Sequence, residues 1–437
     1  MDQKYFIVFL IFFIGMYCKS TDPTKPQKGR KVAIVCENQK AIRFHYDPES
    51  GSIIEKGPVL LPKEVDCKKA EGMEEKEILK FKREGRWIQY YKDTTSILAE
   101  GENKDNKREG EWKFYDQKGN LAKTVLYKQG KKEGKEIAYF GETKVIKSEG
   151  QNINDKKEGE WVFYSDPQHQ CISKGIYKED NKEGEWVECS EDPQNKKWYI
   201  SFKGAYYKNL KDGPGEAYHP NGKLSSKGNY RADLKCKENP PPEGEQMCEK
   251  KTGKWQFYFS NGNLMEEGNY DPQTGKRTGI WKEYYASGEL RGQGNREHTK
   301  TGRWTFYDKT GKIIGQYDFK GNDFMASYCV EFKEDKKIAE GPCTAKMIKY
   351  EVEKDSLKFS DGMKQGKWKG YHPNGNLAWE GELIMNKRQG QWKIYDELGK
   401  LIGEGTYNMD KKTGLWKELV DGKFVTREYD QFGRLKQ

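Results

Sequence analysis

The side chains best suited to chemistry in this sequence are five histidines and nine cysteines. His219 and His372 each begin a turn-like His-Pro-Asn-Gly, whereas His45, His169 and His298 stand alone near loops. Acid–base catalysis requires such groups to converge in one concave site. The sequence contains no His-Glu-x-x-His motif, nucleophile elbow or phosphate-binding loop. We therefore expect no enzymatic activity, and we expect no cofactor, metal or small-molecule substrate.

Two weaker signals for chemistry also have structural explanations. Gly292–Glu297 reads Gly-Gln-Gly-Asn-Arg-Glu and partly resembles a glycine-rich loop, but the strand before it and the helix after it are missing. Acidic pairs such as Glu109 and Glu111 recur at regular spacing along the chain. We interpret these pairs as parts of a structural repeat.

The dominant pattern is a repeat of about 24 residues. Its reference point is a tryptophan in the sequence Gly-x-Trp, followed by a Tyr, a Gly, a Leu or Ile and a second Gly at constant offsets. Glu136 occupies the tryptophan position in one degenerate copy, and residues 213–230 form another copy without the tryptophan. The repeat tryptophans are Trp87, Trp112, Trp161, Trp186, Trp255, Trp281, Trp304, Trp368, Trp392 and Trp416.

Each repeat reads as a β-hairpin. Short aromatic and β-branched runs predict two strands, and turn sequences such as His219–Gly222 separate them, because Pro presets φ and Gly permits a positive φ. Lys-Lys-Glu-Gly at residues 131–134 is predicted to reverse the chain into the next hairpin. The predicted fold is all-β, an elongated twisted antiparallel sheet of tandem hairpins. A lone hairpin is marginally stable, so the tryptophans are predicted to pack between units rather than to stack on a ligand.

The composition agrees with a thin, turn-rich β structure. Hydrophobic and charged residues each make up 34% of the chain, and aromatic residues make up 13%. A disordered chain would be poor in aromatic residues. The formal charge of +10 arises from interspersed signs without a long basic block, so no nucleic-acid partner is expected.

Eight of the cysteines form neighbouring pairs. In a stack of local hairpins, only near neighbours bring their Cα atoms within about 7 Å, the limit for a disulfide. Metal ligation is the alternative, but the chain has neither Cys-x-x-Cys nor His-x-x-x-His. Disulfides would indicate an oxidising, extracytoplasmic compartment. The predicted sequential pairs are Cys36 with Cys67, Cys171 with Cys189, Cys236 with Cys248, and Cys329 with Cys343.

Residues 1–17 are predicted to be a lipoprotein-type signal peptide. Lys4 precedes an apolar run, Tyr5–Tyr17, that would span about 20 Å as a helix, less than a hydrocarbon core of about 30 Å. The run ends at Cys18, which resembles the cysteine lipidated in bacterial lipoproteins, although Tyr17 departs from the small residue preferred there. Residues 18–31 are polar and predict a flexible tether. The alternative is a secreted or anchored chain in which Cys18 is incidental.

The repeat unit Gly-x-Trp-x-x-Tyr, continued by Gly-x-Leu and Gly-x-Tyr, resembles the bacterial variant of the MORN repeat. The resemblance covers nearly all of residues 80–437, and the tandem array is predicted to span residues 32–437. Cysteine-bounded insertions near residues 187–203, 231–252 and 318–365 interrupt the array. Because loops on a rigid scaffold commonly carry recognition, these insertions are predicted to determine partner specificity.

The resemblance implies a non-enzymatic scaffold for protein contact or membrane association. Together with the signal, the chain is similar to exported MORN-repeat lipoproteins of the spirochaete type. Such a protein would be extracytoplasmic and lipid-anchored to the bacterial cell envelope, at the outer membrane or periplasmic face, with an unknown protein or envelope polymer as partner.

Two other functions compete with this interpretation. One is an exported binder of anionic lipid or polysaccharide that uses an aromatic, lysine-rich sheet face. The other is an antitoxin-like component, since part of the family is associated with toxin–antitoxin systems. An antitoxin would act in the cytoplasm, and the export signal argues against that location.

Overall fold

The computed structural model describes residues 29–238, 248–321, 323, 325–360 and 362–436. The structure has 65% strand and 4% helix, which confirms the predicted all-β fold of consecutive antiparallel hairpins. The chain divides into two compact units, Met1–Pro167 and Gln168–Gln437. The predicted signal peptide, Cys18 and residues 18–28 of the tether lie outside the described residues.

The first unit is an antiparallel meander in which each strand pairs with the next along the chain. The exception is β3, which pairs with β2 and with both β4 and β5. Its elements are β1 (Val32–Glu37), β2 (Lys40–Tyr46), β3 (Ile53–Leu60), α1 (Cys67–Glu71), α2 (Glu75–Ile78), β4 (Lys82–Arg83), β5 (Gly85–Tyr90), β6 (Ile97–Lys104), β7 (Lys107–Tyr115), β8 (Leu121–Lys128), β9 (Lys131–Phe140), a short 3₁₀ helix (Gly141–Thr143), β10 (Val145–Ile153) and β11 (Lys156–Tyr164).

The second unit follows the same meander. Its long strand β24 is the exception, because β24 pairs with β23, β25, β26 and β27. The elements are β12 (Ile172–Lys178), β13 (Asn181–Glu191), β14 (Trp198–Tyr207), β15 (Leu210–Tyr218), β16 (Leu224–Ala232), α3 (Leu234–Glu238), β17 (Glu249–Tyr258), β18 (Leu264–Tyr270), β19 (Arg277–Tyr284), β20 (Leu290–Glu297), β21 (Thr299–Tyr307), β22 (Ile313–Lys320), β23 (Met325–Lys333), β24 (Lys336–Glu351), β25 (Ser356–Phe359), β26 (Met363–Lys364), β27 (Gly366–Tyr371), β28 (Leu377–Ile384), β29 (Lys387–Tyr395), β30 (Leu401–Asn408), β31 (Lys411–Val420) and β32 (Lys423–Tyr429).

Helices α1 and α2 pack beside the first strand. The Cys36 N–H donates to the Glu71 carboxylate at 2.7 Å, and the Lys31 N–H donates to Glu75 at 2.9 Å. A disulfide joins Cys36 to Cys67 at the start of α1. These contacts satisfy backbone donors that an edge strand would otherwise present to other chains.

The chain reverses between hairpins at two-residue turns, so the reversal predicted at residues 131–134 is wrong. Gln129 and Gly130, with φ of 52° and 87°, join β8 to β9, and residues 131–134 already belong to β9. Two consecutive residues at positive φ are typical of the type I′ turn, whose twist matches that of the flanking strands. Gly134, with φ of 110°, instead lies where the β8–β9 register shifts.

These turns also connect successive hairpins. The Asn106 N–H donates to the Arg83 carbonyl at 3.1 Å, and the Asn106 side chain accepts the Arg83 N–H at 2.7 Å. Asp410 makes the same two bonds with Arg388, at 3.0 and 2.8 Å. An Asn or Asp at this turn position therefore holds the turn to the beginning of the preceding hairpin.

Candidate functional site

Each repeat tryptophan packs on a glycine of the preceding strand. A Cβ added to any of these glycines would lie only 2.2–2.5 Å from the ring, so any other residue would displace the ring or the strand. The ten tryptophans are at most 5% exposed. They are therefore packing residues within the described structure. The pairs are Gly57–Trp87, Gly101–Trp112, Gly150–Trp161, Gly175–Trp186, Gly228–Trp255, Gly268–Trp281, Gly294–Trp304, Gly341–Trp368, Gly381–Trp392 and Gly405–Trp416.

The indole N–H groups also bond to the preceding strand. Trp112 Nε1 donates to the Glu102 carbonyl at 2.8 Å, and Trp416 Nε1 donates to the Thr406 carbonyl at 2.8 Å. Trp281 is the exception, because its buried Nε1 has no partner among the described residues. An indole so bonded is held in one orientation, which fits a structural role.

A basic residue four positions before the tryptophan covers the other side of the ring. The cation lies 4.3–4.7 Å from the ring centroid, within cation–π range. This position was not predicted from the sequence, although Lys or Arg occupies it in every copy. A ligand approaching this face would meet these cations and not the indoles. The nine cations are Arg83, Arg108, Lys157, Lys182, Lys251, Arg277, Lys300, Lys364 and Lys412, whereas Arg388 lies over Tyr407.

The sheet face that carries the repeat tryptophans is named the aromatic face. A buried ionic cluster interrupts it. Glu283 stands two residues after Trp281, where several copies have phenylalanine. Its carboxylate lies 3.3 Å from Arg291, 2.7 Å from Arg296 and 3.0 Å from Lys300. Burial alone would raise the pKa of Glu283, but the three cations lower it to about 2. The three cations outnumber this carboxylate, and Arg296 also binds Asp323 at 2.8 Å, so the network extends beyond Glu283.

Part of the insertion near 318–365 packs over this ionic cluster. The hairpin of β24 and β25 places the Tyr350 ring 3.8 Å from the Arg291 guanidinium. Next to it, Asp355 accepts hydrogen bonds of 2.6 Å from both the Ser287 hydroxyl and Lys309. The tip of this insertion is therefore bound to its own unit.

The other two insertions lengthen connections. In the region near 187–203, β13 extends to Glu191 and β14 begins at Trp198, which makes a longer hairpin. Near 231–252, the short helix α3 contains Cys236, and the disulfide from Cys236 to Cys248 brackets residues 239–247, outside the described part.

The opposite face of the second unit carries an alternating row of charges, which we name the charged ladder. Its members lie directly opposite one another on β24 and on β27–β31. Opposite charges at such positions contribute roughly 0.2–1 kcal/mol per pair. The charged ladder consists of Glu340, Lys369, Glu380, Lys393, Glu404 and Lys417.

The charged ladder follows from two dipeptides of the repeat. Lysine follows the tryptophan in Trp392-Lys393, and glutamate precedes the glycine in Glu380-Gly381. Successive strand side chains point to opposite faces. Trp and Gly therefore meet on the aromatic face, while Lys and Glu meet on the other.

Tyrosines hold the carboxylates of the charged ladder in place. The Tyr395 hydroxyl donates to Glu380 at 2.9 Å, and Tyr371 donates to Glu340. Burial, followed by the bond to Glu380, raises the pKa of Tyr395 to about 12. Within the described residues, Lys369 and Lys393 show no ion pair, so their ammonium groups project towards solvent.

A trough of about 590 Å³ runs beside the charged ladder. The floor of the trough is backbone, contributed by Trp368, Gly381 and Trp392. The two indole rings lie on the aromatic face, and Gly381 has no side chain. Lys367 and Glu382 line the wall opposite the charged ladder. This open polar trough is the candidate interaction site.

The histidines do not converge on a catalytic centre in the described structure. His219 and His372 contact the carbonyls of Tyr258 and Tyr395 at 2.9 Å, which links successive hairpins. His45 lies 3.6 Å from Glu55, and burial lowers its pKa to about 4. The described residues contain no group of three or more His, Cys, Asp or Glu arranged to hold a metal.

The eight predicted disulfide cysteines are bonded as four sequential pairs. These are Cys36–Cys67, Cys171–Cys189, Cys236–Cys248 and Cys329–Cys343. The bonds indicate an oxidising, extracytoplasmic environment. No helix in the described part of the chain is long and apolar enough to cross a membrane.

Seven segments of the chain match the model of a known repeat family. The matching family is described as "MORN repeat variant", and no curated protein is significantly similar to the chain. The matched segments are residues 108–129, 211–232, 251–271, 277–298, 300–320, 364–381 and 388–409.

Solved structures with detectable similarity are distant. A crystal structure of TcdB2-TccC3-TEV is 12% identical, and the alignment covers 92% of this chain and 22% of that one, with a TM-score of 0.16. One of TcdB2-TccC3-Cdc42 is 13% identical over 91% and 22% of the two chains, with a TM-score of 0.17. Because these scores are low, no conclusion about this chain rests on them. The seven matches do show that the chain carries MORN-variant repeats, which indicate a repeat scaffold or binding protein.

Proposed function

We propose that this chain is an exported, lipid-anchored, non-enzymatic scaffold that binds a protein or cell-envelope polymer. It would bind through the polar face of its repeat sheet, which is the face that carries the charged ladder. The observation that carries the proposal is the difference between the two faces. The aromatic face is closed by glycines and cations, whereas the face with the charged ladder is open and polar. A rigid surface of this kind suits partner binding more than catalysis.

Export and lipidation are supported by the N-terminal sequence and by the disulfides. The apolar run before Cys18 is typical of a signal peptide, and four disulfides fit an oxidising compartment. Incorporation of a fatty-acid analogue should occur in the wild-type chain and be lost in Cys18→Ala. Labelling that survives this substitution would show that Cys18 is incidental.

The binding surface can be mapped by photocrosslinking in the native cell envelope. A photoreactive residue at Lys282 or Lys393, which both follow a repeat tryptophan, should give a discrete adduct. Leu398 is the control, because it is 88% exposed in the turn between β29 and β30, outside the strands. Equal adducts from all three positions, or adducts from Leu398 only, would contradict binding through the polar face.

Binding of anionic lipid or polysaccharide is the competing function. It would have to use the lysines, because the tryptophan rings are covered. Salt-sensitive binding of the chain without residues 1–18 to anionic vesicles would favour that function. Salt-independent capture of one protein partner would favour the scaffold.

A further inference from the structure

We infer that the charged ladder docks face to face with the charged ladder of a second copy of this chain. The inference rests on the proposed scaffold function and specifies its partner. Its central members are Lys369, Glu380, Lys393 and Glu404, which alternate in sign across β27–β30. These four charges sum to zero, so the row itself adds no net repulsion between the two copies.

The spacing of the charged ladder selects a sheet as its partner. Neighbouring members lie on adjacent strands, so the charges repeat about every 4.8 Å. Same-side residues of one extended peptide repeat about every 6.6 Å, and such a peptide would lose register within a few charges. In any other sheet, charges on adjacent strands also repeat about every 4.8 Å. A second copy of this chain carries the same row of charges and therefore has the same spacing.

The alternation makes the charged ladder complementary to itself. A two-fold axis between β28 and β29 places Glu380 of one copy opposite Lys393 of the other. The same axis places Lys369 opposite Glu404. Symmetry generates each pair twice, as in any isologous dimer. Four intermolecular ion pairs result, with no like charges opposed.

The surface beside the charged ladder can accept the second row. The trough of about 590 Å³ has a backbone floor, so the long side chains of the partner row would lie in it without steric conflict. Sheets packed face to face lie about 10 Å apart, a separation that opposed Lys and Glu side chains can span. The Lys369 and Lys393 side chains are exposed and make no ion pair within the described residues.

The test uses two complementary variants of the chain without residues 1–18. In the acidic variant, Lys369→Glu and Lys393→Glu make the central row negative. In the basic variant, Glu380→Lys and Glu404→Lys make it positive. Analytical ultracentrifugation should show a salt-sensitive wild-type dimer, self-association at least roughly tenfold weaker in each variant, and a heterodimer when the variants are mixed.

Controls separate a lost interface from a lost fold. Lys113→Glu alters the equivalent position of the first unit and should leave the dimer unchanged. Lys369→Gln with Lys393→Gln removes the attraction without placing like charges on neighbouring strands, and it should also weaken the dimer. Tryptophan fluorescence should match the wild type in every variant.

Two results would overturn the inference. One is a wild-type chain that is monomeric at low salt, and the other is variants that dimerise as the wild type does. If the chain is monomeric yet Lys393 still crosslinks to another protein in the envelope, the scaffold function stands and only the second copy is excluded. A self-adduct at Lys393 would support the inference.

Discussion

Trp416 lies against the Cα of Gly405 on the neighbouring strand, so close that a Cβ at Gly405 would approach the ring to 2.4 Å. The two residues are on adjacent strands of consecutive repeats, and Lys412 covers the other side of the ring at 4.6 Å. The glycine two positions earlier, Gly403, has no such contact, because an added Cβ there would lie 3.9 Å from its nearest neighbour. Glycine is therefore required at Gly405 because of the contact with the tryptophan, and not because of its place in the strand.

Gly405→Ala should therefore destabilise the array. We expect a loss of about 1–3 kcal/mol in the free energy of unfolding, because the ring or the strand must move. Urea unfolding followed by tryptophan fluorescence would measure it. Gly403→Ala is the matched control on the same strand and should change stability little. Equal losses in the two variants would show that the indole contact is not the cause.

The disulfides should differ in their resistance to reduction in the native state. Cys329 and Cys343 are 2% and 3% exposed, whereas Cys36 and Cys67 are only partly buried. Timed alkylation and mass spectrometry under native conditions should therefore detect free Cys36 and Cys67 before free Cys329 and Cys343. Earlier labelling of Cys329 would contradict the burial of that bond.

Removing the first disulfide should destabilise the N-terminal unit. Cys36 and Cys67 are 31 residues apart, so their bond restrains a long loop of the unfolded chain. The double variant Cys36→Ser with Cys67→Ser should lose about 3 kcal/mol of stability. Thermal unfolding would test this, and an unchanged midpoint would exclude such a contribution.

His45 should make the first unit sensitive to mild acid. Burial lowers the pKa of His45 to about 4, against an ordinary value near 6.5, so the folded state favours the neutral ring. The stabilisation is fully present above about pH 6.5 and is lost as the pH falls towards 4, by about 3 kcal/mol. Thermal unfolding midpoints across this range should fall less in His45→Gln than in the wild type. His298→Gln, at an exposed position between β20 and β21, should show the pH dependence of the wild type.

Asp355 should control the mobility of the β24–β25 hairpin. Its carboxylate binds Ser287 and Lys309 at 2.6 Å, and a neutral amide weakens both contacts. In Asp355→Asn, amide hydrogen exchange in residues 348–359 should accelerate by roughly tenfold, read by mass spectrometry. Asp421→Asn, in another turn, is the control. Unchanged exchange in Asp355→Asn would show that other contacts, such as that of Tyr350, suffice.

Local features of the structure could be predicted from the sequence with few errors. The hairpins follow from strand runs alternating with turn residues, and the cysteine pairs follow from their closeness along the chain. The reversal between hairpins was misplaced, because Gly134 suggested a turn and actually marks a shift in register. Residues such as Gln129 are uncommon at positive φ, so the true turn has a weak signal.

The sequence by itself determined the repeat, the strand direction and the role of each tryptophan, because these depend on residues within one period. Only the tertiary structure decided which face of the sheet is closed. That outcome depends on Gly381 lying beneath Trp392 while Lys393 meets Glu380 on the other side. Likewise, Asp355 binds Ser287, 68 residues away, and no local pattern predicts such a contact. Cross-strand register and long-range docking are decided when the whole sheet assembles, and they determine which charges remain available to a partner.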